Sequence, residues 1–525
     1  MKKYIIGFVF LILAISGVYA QQGYKIEVKV KGAENGQIIL GHHKSGNLIP
    51  DDTAKANSQG YAVFKGKKKL PHGLYLIFLP NRTYFDILVG DDQQFYVEND
   101  TTDLFKNLKV KGSLDNEIFL RYQQFMEKNS QKAKAIEEKL KKAKSDKEKE
   151  KYKKQLQDLT DEWKNYILNI NKEYPNLYVS QFLKGLIDVQ VPDSIKDPLK
   201  QYLWLKKHYF DNFDISDIGM FYTPFYEKKI DNYLDKIIVQ HPDSLIEAVD
   251  YILARVKGND EMYKNVLIHL FNKYARSQMM IAENVYTHLA EIYIKDAYWS
   301  DPKFINRLKT RIARKKNCLI GVQAQPLELA VLPPDSAAIE QLRIPLKEMK
   351  QKGKEIEKQK PKFDDRIADL SELLAQYMAN FPQYIDLYKI NANYIVLWFM
   401  DPECSHCRAE TPQMFKIFKN DLKDKGVVVL NIYLPRNTDD WGRFCDHIGK
   451  WFTFVEKDKL YADGWINAWN PFANSRFKYD ISSTPKVYVL DKDKKIIAKN
   501  IGPDQVKEVI LDMEKAKKDE KKKSE

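Results

Sequence analysis

The chain has 525 residues, too many for one hydrophobic core, so about two to four domains are expected. Its four cysteines, Cys318, Cys404, Cys407 and Cys445, are too few for a disulfide-stapled scaffold, and a 44% hydrophobic composition allows ordinary cores instead. The formal net charge is +13, but much of the surplus lies in residues 127–155, where lysine is mixed with glutamate as on a solvated helix face; without a recognisable binding module this argues against nucleic acid as a partner.

In chain order, Lys2 and Lys3 precede an apolar run over residues 4–18, and Val18 and Ala20 suit a signal-peptidase site. The expectation is a signal peptide over residues 1–20 and an exported protein of the periplasm or cell envelope, soluble after cleavage. The run is short for a spanning anchor, and the longest later one covers only residues 394–400. From residue 21 to 112, alternating segments such as YKIEVKVKG, YAVFKG and GLYLIFL are broken by Gly, Asn and Asp, which predicts a small antiparallel β domain. Residues 113–316 switch to helical periodicity and predict an all-α middle domain of about six to nine helices, punctuated by Pro175, Pro192, Pro224, Pro242 and Pro302. Its aromatic stripes read as helix packing.

Residues 317–518 alternate strands with helices, which predicts an α/β domain with a partly parallel sheet, helices on its faces and a final hairpin joined by DKDKK. A charged helical insertion is expected at residues 335–380, and residues 519–525 form a charged tail. Helices are predicted over residues 411–423 and 439–448, with FTFVE after the second read as strand or loop. Within this region YIVLWFMDPECSHCRAETPQMF, residues 394–415, runs from an apolar strand into C-x-x-C. Structural zinc would ask for four ligands, and no second such pair is present. A disulfide across so short a loop would constrain the unfolded chain very little. A strand ending at Met400, a short loop and a helix opening at the cysteines suit a redox pair, because free N–H groups at a helix start stabilise a thiolate. Cys404 is then the exposed nucleophile, and Cys407, one turn deeper, resolves the mixed disulfide. Cys445 reads as a buried core thiol, and Cys318 carries no motif.

The pattern CxxCRxExP, which includes Pro412, together with SSTPKVYVLD at residues 482–491, resembles the thioredoxin fold and its exported ResA/TlpA-like thiol:disulfide oxidoreductases. The upstream regions resemble accessory domains ahead of redoxin domains in Bacteroidetes-type bacteria. This resemblance implies a thioredoxin-like C-terminal domain, a cis-proline at Pro485 facing the cysteines, and substrate binding by Thr484 and Pro485. It also implies a proton-transfer role for Glu410, whose plain alternative is a surface glutamate favoured by the helix dipole. His406 is either a stabiliser of the Cys404 thiolate or a solvent-facing loop residue. Trp398 stands where cytoplasmic thioredoxins bury an aspartate. Glu403 replaces a common tryptophan, and its charge should oppose the thiolate. The implied activity is reduction of client protein disulfides, fed by an upstream electron donor such as a membrane thiol transporter, with no metal or organic cofactor. The competing expectation is an envelope binding or scaffold protein whose accessory domains hold a partner or glycan.

Overall fold

The computed structural model describes residues 23–524 except 45, 436–437 and 472–474; the predicted signal peptide lies outside the described residues. The chain divides into two compact units, Met1–Leu270 and Phe271–Glu525.

The first unit begins with eight strands: β1 (Tyr24–Lys31), β2 (Gln37–Lys44), β3 (Asn47–Lys55), β4 (Tyr61–Gly66), β5 (Gly73–Phe78), β6 (Tyr84–Val89), β7 (Gln94–Asp100) and β8 (Lys109–Lys111). They form two four-stranded sheets, ordered β4-β1-β7-β8 and β3-β2-β5-β6. Strand alternation builds the core between them: Ile26, Val28 and Val30 of β1 are buried beside Ile38, Leu40, Tyr75, Ile87 and Val97, whereas Lys25 and Lys29 face water. The sheets are not purely antiparallel, as the sequence suggested, because β1 pairs with β7 in parallel. Such a pair needs a long crossover, and the strands of the second sheet supply it.

Residues 113–316 contain ten α-helical segments and no strand. The predicted count is exceeded partly because Pro224 disfavours helix at Thr223 and so separates Ile218–Phe221 from Tyr226–Asn232. The lysine-rich stretch is a helical hairpin, Leu114–Lys142 and Asp146–Glu173, with a capping box formed by Ser145 and Glu148. Its core contacts come from residues far from the turn, including Ile118, Phe119, Ile167 and Ile170, and the charged middle is exposed. No helix of the described residues is long and apolar enough to cross a membrane.

The second unit holds a seven-stranded sheet built from β9 (Glu328–Val331), β10 (Gln383–Asp386), β11 (Tyr394–Met400), β12 (Val427–Tyr433), β13 (Trp465–Trp469), β14 (Lys486–Asp491) and β15 (Ile496–Lys499). Its order is β10-β9-β13-β12-β11-β14-β15, with β11, β12 and β13 parallel and the remaining neighbours antiparallel. Every residue of β11 is buried, which explains its unbroken apolar sequence. Val396, Trp398 and Met400 face a core shared with the helices Ser405–Ile417, Trp441–Lys457 and Pro503–Ser524; Ile395, Leu397 and Phe399 face a second core lined by Cys318, Tyr479 and Ile481. The helices joining β11 to β12 and β12 to β13 therefore share one face, rather than dividing between two. Successive parallel steps in one direction with right-handed crossovers require this.

Two local expectations fail in this unit. FTFVE is helical, the end of Trp441–Lys457, because Ile448, Trp451, Phe452 and Val455 recur at helical spacing and are all buried. WINAW, which carried no strand prediction, is β13: its alanine and asparagine mute the β signal, and pairing between β12 and β9 makes it a strand. The helical insertion consists of Ser336–Gln359 and Phe363–Met378 and is packed into the domain. A Cβ at Gly353 would fall 2.1 Å from Trp441 Cδ1, and Trp441 Nε1 donates to Met349 O at 3.0 Å. The last helix continues past residue 518 to Ser524, so the tail extends it.

Candidate active site

Strand β11 delivers the chain to a tight loop whose geometry is set by Asp401. Its side-chain Oδ1 accepts from Glu403 N at 2.7 Å, and its carbonyl accepts from Cys404 N at 3.1 Å. The helix Ser405–Ile417 starts immediately afterwards with Cys404 as its N-cap, and Cys407 falls on the buried face with no solvent exposure. Trp398 Nε1 donates to Thr411 Oγ1 at 3.0 Å, tying the strand to the second turn of the helix. All four cysteines are free thiols. Cys318 and Cys445 belong to the cores on opposite faces of the sheet, so they do not pair.

The two thiols of the motif are electrostatically different. Burial works against a Cys404 thiolate. Hydrogen bonds from the Cys407 N–H, the Cys407 thiol, the Thr484 side chain and the His406 N–H outweigh it and hold the Cys404 pKa below the ordinary thiol value. When protonated, Cys404 Sγ donates to Thr484 O at 3.2 Å. Cys407 is pushed up to about 12, chiefly by burial, with the neighbouring Cys404 adding to the effect. Cys445 is likewise raised to about 12 by burial. The arrangement therefore holds one reactive sulfur at the surface and one protonated sulfur beneath it.

The other residues singled out in the sequence fall around this pair. Thr484-Pro485 is cis and leads into β14 next to Cys404. His406 is exposed, and its Nδ1 lies 4.0 Å from Glu410 Oε1; neither side chain bonds a cysteine sulfur among the described residues. Both line a cleft that also includes Pro485. Glu403, expected to oppose the thiolate, forms an ion pair with Lys450, whose positive charge offsets its own.

Sequence reasoning missed a buried chain of polar groups beneath the loop. Tyr433 OH lies 2.7 Å from His447 Nδ1, and His447 Nε2 lies 2.9 Å from Asp401 Oδ1. Burial raises the Tyr433 pKa far above that of a free phenol, so its hydroxyl stays protonated. His447 thus links Tyr433 to Asp401, whose own backbone N–H reaches Cys407. The available signal was a histidine on an apolar helix face, in FCDHIG. His447→Leu should destabilise the protein by about 1–3 kcal/mol, because two buried polar partners lose a hydrogen bond. A urea midpoint equal to that of the parent would contradict this.

Two family models match the sequence, and both describe domains of unknown function: DUF4369 over residues 24–119 and DUF5106 over residues 127–309. No curated protein matches the chain. Among solved structures, the chain is similar to a thioredoxin-like protein from Bacteroides caccae, at 18% identity over 62% of this chain and 97% of that one, with a TM-score of 0.39. It is also similar to a domain of a possible thiol-disulfide isomerase from Cytophaga hutchinsonii, at 24% identity over 38% and 96%, TM-score 0.24. A thiol:disulfide interchange protein from Bacteroides sp. matches at 25% identity over 24% and 77%, TM-score 0.20. With TM-scores this low, the functional reading rests on this chain's own strand order and cysteine geometry.

Proposed function

We propose that the protein is an exported thiol:disulfide oxidoreductase of the ResA/TlpA-like kind that reduces disulfides in client proteins. The supporting observation is the thiol pair at the start of Ser405–Ile417, with Cys404 partly exposed and favoured as thiolate while Cys407 is buried and held protonated. The Cys404 thiolate attacks one sulfur of a client disulfide; a bond forms between them and the other client sulfur leaves as a thiolate. Cys404 has then lost its negative charge, and with it one of the effects that keep Cys407 protonated. Cys407 gives up its proton and attacks Cys404, releasing the second client thiol and leaving a Cys404–Cys407 disulfide. Two electrons have passed to the client, and an upstream dithiol donor must return them. Glu410, beside His406 at the cleft, is the group proposed to exchange the proton with solvent.

Reduction of insulin disulfides by the full chain with a dithiol reductant tests this reading. The parent should accelerate insulin reduction, and Cys404→Ser should lower the rate by about a thousandfold or more, as loss of a nucleophile does. Equal rates for the two proteins would refute the assignment. Export is proposed from the sequence pattern at residues 1–20, and N-terminal sequencing of envelope material should then begin at Gln21. A mature protein that retains Met1 would remove that part of the reading.

A further inference from the structure

The loop that presents the thiols touches both of them through Asp401. The Asp401 carbonyl accepts from Cys404 N at 3.1 Å, and its backbone N–H donates to the Cys407 sulfur. The Asp401 side chain fixes the orientation of that peptide, since Oδ1 accepts from Glu403 N at 2.7 Å and lies 2.9 Å from His447 Nε2. Both Asp401 and His447 are buried, so neither can exchange its partner for water without the loop moving.

One helix, Trp441–Lys457, holds the loop at two points. His447 meets Asp401, and Lys450, about one turn later, pairs with Glu403. His447 is held in turn by Tyr433, whose hydroxyl lies 2.7 Å from Nδ1 and whose ring stacks on Trp451 of the same helix with centroids 4.7 Å apart. Buried polar groups add little net stability over apolar packing; a fully partnered set contributes rigidity and a single arrangement. Here that arrangement ends on one N–H and the second thiol.

The resolving step is the one that depends on this N–H. Burial pushes the Cys407 thiol up to about 12, and the strongest contact opposing burial is the hydrogen bond from Asp401 N–H. As Cys407 loses its proton to solvent and attacks Cys404, negative charge develops on the sulfur that this N–H faces. Against its own burial, the Cys404 thiolate relies on the Cys407 and His406 N–H groups, the Cys407 thiol and Thr484, none of which His447 holds.

We propose that His447 is a positioning residue for the resolving step: through Asp401 it aims the N–H that stabilises the Cys407 thiolate, and so sets how fast the mixed disulfide is released. The proposal rests on the exchange reaction at Cys404 and adds a residue to it.

The reduced full-length chain, mixed with dithiobis(nitrobenzoate), separates the two steps. One coloured nitrothiolate leaves when Cys404 attacks the reagent, and a second leaves when Cys407 displaces it from Cys404. The reagent gains two electrons, the thiol pair loses them as a Cys404–Cys407 disulfide, and the Cys407 proton goes to solvent. Cys407→Ser, which should release one nitrothiolate, assigns the phases. His447→Leu should slow the second phase by about tenfold or more, the effect of one hydrogen bond to a charged group, and leave the first nearly unchanged. A glutamine amide comes close to the place of Nε2 and an asparagine amide to that of Nδ1, so His447→Gln should restore the second phase and His447→Asn should not. These two variants read the same split if His447→Leu does not fold. Val455→Ala, which opens a cavity under the buried face of the same helix about two turns away, should lower the urea midpoint without changing the ratio of the phases. A second phase that is unchanged in His447→Leu, or that follows the urea midpoint across all four variants, would overturn the proposal. A parent protein that releases only one nitrothiolate and forms no Cys404–Cys407 disulfide would instead overturn the exchange reading, and this role with it.

Discussion

Cys407→Ser protein, mixed in reduced form with a disulfide-containing client, accumulates a covalent complex through Cys404 while catalytic turnover falls by about a thousandfold or more. The serine keeps a hydroxyl where the Cys407 thiol donates to Cys404, so much of the environment that favours the Cys404 thiolate survives. Attack on the client therefore still proceeds. A hydroxyl cannot displace the mixed disulfide, however, and the first intermediate has no exit within the site. On a non-reducing gel the complex should appear as a shifted band that disappears with dithiothreitol and is absent from the Cys404→Ser, Cys407→Ser double variant. If Cys407→Ser traps nothing with insulin, and the accessory regions alone capture an envelope partner, the scaffold reading takes the place of the enzyme.

At neutral pH, iodoacetamide should label Cys404 at least about a thousandfold faster than Cys407 or Cys445. The thiolate is the reacting species, and a thiol with a pKa of about 12 is ionised to roughly one part in 10⁵ at pH 7. Cys404 lies below the ordinary thiol value, so its labelling rate should rise and level off at lower pH than that of a free thiol. The sign is fixed by chemistry: a lowered thiol pKa moves the onset of reaction to lower pH, and a raised one moves it to higher pH. Exposure acts in the same direction, since Cys404 is partly exposed and the other two are buried. Mass spectrometry of the labelled peptides across a pH series separates the three sites. Equal labelling, or a Cys404 profile centred above that of a free thiol, would show that the helix start does not stabilise its thiolate.

The thiol pair at a helix start was legible because every signal for it is local. The unbroken apolar run of β11 announces a strand buried on both faces, and C-x-x-C follows it after a loop of three residues, Asp401 to Glu403. A helix then begins where its free N–H groups can act on Cys404. SSTPKVYVLD could likewise be recognised as the approach to a strand, and the structure brings Thr484 to Cys404. The helical insertion was visible as a shift to charged helical periodicity, and its two helices lie where that shift predicted.

Other features depend on partners far away in the chain, which periodicity does not reveal. β13 is a strand because β12 and β9 flank it, and FTFVE is helical because its apolar residues face the core together with Ile448 and Trp451. Asp401 and His447 stand 46 positions apart, yet one hydrogen bond between them braces the loop that carries the cysteines. Lys315 and Glu283 reach the cleft beside Pro485 only because two helices pack next to the sheet. The amino-acid sequence by itself determined the spacing of the thiol pair and its place at a helix start, because both are set by residues adjacent in the chain. Tertiary structure alone decided which buried groups brace that pair and which charges surround it, because burial and Coulomb energy depend on distance through space, whatever the separation along the chain.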